Sequence, residues 1–141
     1  KELQNIISGF RFNKKLNEII SKINEKLYNA KDPFDFKNCI DLIRALLNEL
    51  CISIALAIQD KKQIQPTLPT DSMGRAEQYF SDKRVAFLTK SESEFLVKYN
   101  TFISDAGVHA LQSEREHARI SRNLVIELGL FLMEKLKKYL S

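Results

Sequence analysis

The residues with the widest chemical reach in this 141-residue chain crowd two neighbouring stretches, Ser104-Asp105-Ala106-Gly107-Val108-His109 and Arg115 through Glu127. Helical spacing sets Arg115, Arg119 and Arg122 on one stripe and Glu116, Asn123 and Glu127 on the next, because positions three and four apart share a face. Arginines in a row recognise phosphates or carboxylates, and a nearby imidazole, His109 or His117, is the side chain suited to moving a proton at neutral pH. Glu127 lies among Leu124, Ile126, Leu128 and Leu130. That setting predicts a buried carboxylate in need of a cation. Arg44 shares a stripe with Ile40, Leu47 and Cys51, which makes it the matching charge. An Arg44–Glu127 pair across the interior is therefore expected. It would be either an ion pair that fixes helix register or the floor of a polar site that includes Asn123, Asp105 and Arg119.

Several chemistries lack a starting signal. The two histidines and scattered carboxylates show none of the close His/Cys/Asp spacings of a metal centre, so no metal is expected. There is no glycine-rich phosphate loop, no dinucleotide-binding glycine fingerprint and no serine nucleophile elbow, so no cofactor is expected either. Cys39 and Cys51 stand twelve positions apart in one helical stretch, about 18 Å along the axis, which is too far for a disulfide. They read as small core residues of a protein in a reducing, cytoplasmic setting. The chain opens on Lys1 with no secretory leader pattern, and it reads as a domain of a larger protein.

These side chains must be carried by helices. With 44% hydrophobic residues, four glycines and three prolines, the chain has the apolar content for one core but little turn chemistry for a β fold. Leu16, Ile19, Ile20, Ile23 and Leu27 give a helical pattern between Phe12 and Ala30, ended by Asp32-Pro33. Asp35 is expected to cap a second helix over 35–59, whose stripe runs from Phe36 to Ile58. Residues 60–74 read as a loop, followed by a short helix at 75–80. Ser91-x-x-Glu94 and Ser113-x-x-Glu116 have the form of capping boxes, which predicts a helix from about 91 and a last one over 114–140. The expected fold is an all-α, up-and-down bundle of four to five helices in one domain, with 35–59 and 114–140 at its centre.

The plan of two helices joined by polar loops, then Arg122-Asn123 early in a long terminal helix, resembles the HEPN superfamily of small helical bundles. That superfamily occurs in bacterial toxins, phage-defence proteins and nucleotidyltransferase partners. Its catalytic motif is an Arg, usually followed by a polar residue, and then a His after a short spacer. Here Arg122-Asn123 matches the beginning, Glu127 stands at the histidine position, and no histidine follows His117. The resemblance, with that position changed, implies a non-catalytic module of a larger bacterial protein that self-associates or docks to neighbouring domains. The alternative it implies is a divergent, metal-independent ribonuclease, with Arg122 at the phosphate and His109 or His117 moving the proton.

Charge gives a third reading. Lysine and arginine outnumber aspartate and glutamate by 22 to 18, and residues 1–31 hold seven cations against three anions while the other 110 balance at fifteen each. A nucleic-acid-binding module would use Lys14, Lys15, Lys22 and Lys26 on this first helix. Phe10, Phe12 and Tyr28 read as core residues rather than a base-stacking platform. No run of residues is long and apolar enough for a membrane span.

Overall fold

The structure, a computed structural model, describes residues 1–10, Phe12, 14–108 and 114–141; the side chains of 105–108 and Glu114 lie outside that description. The described residues form six helices, one more than the upper expectation: α1 (Glu2–Gly9), α2 (Lys14–Asn29), α3 (Pro33–Lys62), α4 (Met73–Ser81), α5 (Lys90–Val108) and α6 (Glu114–Leu140). The all-α expectation holds. The unforeseen element is α1, which is short and contributes only Leu3 and Ile7 to the core. Two apolar residues one turn apart are too weak a period to read from sequence.

Local chemistry explains where the helices begin. Asp32, rather than Asp35, caps α3: its carboxylate accepts from the Asp35 backbone at 3.0 Å, and Asp35 returns a bond to the Asp32 backbone at 3.4 Å. Pro33 then occupies the first helical position, where its missing N–H costs nothing, so the helix starts two residues earlier than expected. The box that opens α5 is likewise Thr89-x-x-Glu92 and not Ser91-x-x-Glu94. Thr89 N–H donates to Glu92 at 2.8 Å, and Glu92 N–H donates to Thr89 Oγ1 at 3.2 Å. Both patterns exist in the sequence, but Ser93 is buried and donates to Glu77 at 2.5 Å. Packing Ser93 inward selects the earlier register. Ser113, the expected cap of α6, lies outside the described residues.

α3 is the axis of the bundle. Eleven of its side chains are buried, from Phe36 to Ile58, and they include both cysteines. α2 returns antiparallel to α3 across a short turn. α4 lies along α3, with Met73 N–H donating to Asn48 Oδ1 at 2.8 Å. α5 and α6 run antiparallel to each other, as the Glu92–Lys135 ion pair at 2.5 Å and the Phe102–His117 ring stack at 4.6 Å show from opposite ends. α3 and α6 are parallel: Arg115 sits over the Phe36 ring at 5.8 Å near their starts, and Lys62 over Tyr139 at 5.0 Å near their ends. The order down, up, down, up for α2, α3, α5 and α6 is the expected up-and-down topology. Residues 63–72 carry the chain back along α3, anchored by Tyr79 OH donating to Ile64 O at 2.6 Å and by Gln59 donating to Thr70 at 2.8 Å.

Among the described glycines, Gly129 alone stands against other side chains. A Cβ there would stand 3.0 Å from a Leu3 methyl and 3.2 Å from a Leu50 methyl, both belonging to fully buried side chains. Gly129 thus lets α1 and α3 press on the same turn of α6. Gly129→Val should destabilise the domain by about 1–3 kcal/mol through overpacking. Ala86 shows the opposite opportunity, because it holds φ 49° with an exposed side chain. Removing its Cβ relieves about 1 kcal/mol of left-handed strain, so Ala86→Gly should raise the urea midpoint, while a drop would show the turn to be unstrained.

Candidate interaction surface at the α5–α6 seam

The structure disperses the polar cluster expected from sequence. Arg44 and Glu127 are both exposed and no ion pair joins them, which corrects the expected internal pair. Two geometric facts account for this. Arg44 projects from the outer side of α3, a turn from exposed Asp41. Glu127 sits opposite Val125 and Leu132, which face the core, so its apolar sequence neighbours surround it along the chain but not in space. Arg119 binds Glu116 one turn away at 2.6 Å, an exposed pair of small energetic weight. The Asp105 side chain lies outside the described residues.

Arg122 and His117 are also separated. The Arg122 guanidinium donates through Nε to Asn24 Oδ1 of α2 at 2.9 Å and through Nη1 to Asn123 Oδ1 at 2.9 Å. His117 faces the other way and stacks on Phe102 of α5 with the ring planes 16° apart. Arginine and imidazole therefore serve different helix contacts, and His109 lies outside the described residues. On α2, Lys14, Lys22 and Lys26 are exposed, while Lys15 reaches Glu49 of α3 at 3.8 Å. Glu18 and Glu25 share this outer surface. The fold consequently interleaves the basic first helix with carboxylates. Tyr28, read above as core, is 90% exposed because it lies on the stripe of Asn17, Ser21 and Asn24 rather than that of Ile19 and Ile23.

What the sequence did not single out is the outer side of the α5–α6 seam. Phe95 and Phe102 on α5, and Ile120, Leu124 and Phe131 on α6, remain between 38% and 54% exposed. They belong together. Phe95 and Phe102 are two turns apart on one flank of α5, next to Tyr99, whose hydroxyl donates to Ser121 O of α6 at 2.5 Å. Ile120, Leu124 and Phe131 occupy the matching flank of α6, between the buried row of Ser121, Val125 and Leu128 and the exposed Glu127 and Glu134. Antiparallel register sets Phe95 level with Phe131 and Phe102 level with Leu124 and Ile120. The signal was present as the extra apolar positions of α6, but helical period alone reads them as more core.

Charge borders this face with both signs: Glu94 and Lys98 on α5, Glu127, Glu134 and Lys138 on α6. The seam itself is fastened by Glu92, which accepts from Lys135 at 2.5 Å while capping α5. Burial pushes the Glu92 carboxyl up, but the bonds from Lys135 and Thr89 outweigh it and hold it below its ordinary value. Other titrating groups are structural. Burial, with Glu77 nearby, pushes the Cys51 thiol up to about 12, which keeps it protonated and inert. No group of three His, Cys, Asp or Glu among the described residues could hold a metal ion, and no helix is long and apolar enough to cross a membrane.

Comparison with protein-family models, with curated proteins and with solved structures returned no match, so geometry carries the functional reading. The depressed carboxyl makes one prediction about the seam. A group whose pKa is lower in the folded state stabilises above its ordinary value, 4.5 for glutamate, and loses that contribution as pH falls through the folded value. Glu92→Gln should therefore cost about 1–2 kcal/mol at neutral pH, with the gap to the parent closing as the pH falls from glutamate's ordinary 4.5 through the lowered folded value. A gap independent of pH in urea titrations would show that the carboxylate does not fasten the seam.

Proposed function

We propose that this chain is a helical interaction module that pairs with a second copy of itself through the outer face of the α5–α6 seam. The observation that carries the reading is the row of five large side chains left open there. A patch of this kind on a monomer marks an association site more often than it marks chance. A second copy is the partner that suits it. Two antiparallel helices offer a face that pairs with itself about a two-fold axis, making a four-helix contact. The border carries both signs in near balance, so one copy does not repel another as a single-signed rim would.

Magnitude sets the strength. Each half-exposed side chain still has about 1 kcal/mol to gain on burial, so two copies gain on the order of 10 kcal/mol. Association costs roughly 4–15 kcal/mol in lost freedom, which leaves at most about 6 kcal/mol and so a weak dimer, its dissociation constant about tens of micromolar or higher. This agrees with the HEPN-like reading of a non-catalytic module in a larger bacterial protein of the toxin or phage-defence kind, where linkage to other domains raises effective concentration. The ribonuclease alternative receives no comparable support, since Arg122 is engaged by Asn24 and Asn123 while His117 stacks on α5.

Sedimentation over a concentration series should show a monomer passing to a dimer, and Leu124→Glu with Phe131→Glu should leave a folded monomer throughout. A dimer that survives both substitutions would overturn the choice of face; a parent that stays monomeric at high concentration would overturn self-association itself. Independently, RNA incubated with the protein in EDTA should remain intact. Cleavage abolished by Arg122→Ala would reinstate the ribonuclease reading.

A further inference from the structure

The two helices of the open face carry one pattern with opposite signs. On α5 it is Phe95-x-x-Lys98-x-x-x-Phe102, and on α6 it is Leu124-x-x-Glu127-x-x-x-Phe131. In each, a charge stands three and four positions from two large apolar side chains, so it shares their flank of the helix. All six side chains are exposed. Lys98 and Glu127 lie outside any salt bridge among the described residues, and the seam between their helices is fastened by Glu92 and Lys135 at 2.5 Å instead.

The other charges near these rows cancel or stand aside. Glu134 follows Phe131 by three positions and Lys138 follows Glu134 by four, an order in which the two attract along one helix. Glu116 is taken by Arg119 at 2.6 Å. Lys90 and Glu94, also four apart and of opposite sign, turn toward α4, where with Glu77 and Ser93 they line the α4–α5 groove; Lys98 stands between that groove and the face. Among the described side chains this leaves α5 with one cation, and α6 with one anion, set within the apolar rows.

We infer that the second copy packs with its two-fold axis parallel to the helices, so that α5 of each copy lies on α6 of the other and Lys98 meets Glu127 of the partner subunit, twice over. This rests on the self-pairing proposed above and fixes its geometry. Two-fold contacts are isologous, and two placements of the axis lay this face on itself. With the axis across the helices, α5 lies on α5 and α6 on α6. Full overlap of the rows then sets the axis at their midpoint, where Lys98 and Glu127 stand, and each charge faces its own copy in the centre of the contact. Like charges brought together there are costly. With the axis along the helices, every residue keeps its own height. Phe95 then reaches the level of the partner's Phe131, Phe102 that of the partner's Leu124 and Ile120, and the two midpoint charges each face the opposite sign.

Sedimentation of charge-reversed variants tests the axis. Lys98→Glu and Glu127→Lys should each weaken the dimer about tenfold, since two attractive contacts turn repulsive, and the double variant should recover the parent's dissociation constant to within about threefold. Added salt should narrow these differences. Both positions are exposed, and circular dichroism checks that each variant is folded. A short bis-maleimide gives a second readout: Lys98→Cys and Glu127→Cys should crosslink when mixed but not singly, because Cys39 and Cys51 are fully buried. The inference is overturned if the single reversals leave association unchanged, if the double variant stays as weak as either one, or if each cysteine variant crosslinks with itself. A parent that forms no dimer overturns the self-pairing and the axis together. A dimer that Leu124→Glu with Phe131→Glu abolishes, but that charge reversal does not touch, overturns the axis alone.

Discussion

A thirty-residue helix with buried side chains along its whole length cannot be covered by one neighbour, and the rest of this fold is the set of elements required to cover α3. An ordinary surface helix hides a stripe of roughly 100°. α3 hides a wider one, with Cys39, Ile43, Leu46, Leu47, Leu50, Ile54 and Ile58 fully enclosed, so α2, α4, α5 and α6 must approach it from different directions. The constraint also reaches α1, whose Leu3 meets Leu50 across Gly129. A side chain at that turn of α6 would press on the Leu3 methyls and so on the seat of α1 against the core.

Covering α3 leaves α6 with more apolar surface than one axis can use. Val125, Leu132 and Leu136 face inward, and the remaining large residues must face another element or water. Part of the surplus is absorbed by α5 through Tyr99 and the Phe102–His117 stack. The remainder is the open row from Ile120 to Phe131. The open apolar face is thus a consequence of the same composition that builds the bundle, which is why it lies beside the core without a break.

Sequence patterning revealed the helices that bury the most and missed what depends on neighbours. The stripe from Phe36 to Ile58 and the terminal helix 114–140 were legible because their periods are long and regular. The helix starts moved because α3 offered two aspartates that could cap it, Asp32 and Asp35, and α5 two overlapping Ser/Thr-x-x-Glu patterns; the choice rested on Pro33 in one case and on inward packing of Ser93 in the other. Arg44 and Glu127 were misread for a related reason. A charged residue among apolar neighbours can still point outward: Glu127 shares its side of α6 with exposed Asn123, Leu124 and Phe131, and Arg44 is exposed beside Asp41 although Ile40 and Leu47 on its stripe are buried. Arg122 has a partner, Asn24, that is ninety-eight positions distant, and no local pattern points to it.

The charge distribution carries this lesson furthest. Summed along the chain, the surplus belongs to residues 1–31. Folding alters that attribution in two ways. It lays Glu49 of α3 against Lys15 and keeps Glu18 and Glu25 on the same surface as the α2 lysines, so α2 presents a mixed face. It also runs α3, α4 and α6 in one direction, and cations common near helix C-termini then accumulate at a single end. In an antiparallel pair these termini would fall at opposite ends and the lysines of each would stay dispersed. Parallel packing of α3 and α6 thus turns a routine local preference for Lys61, Lys62, Lys137 and Lys138 into one directed electrostatic surface.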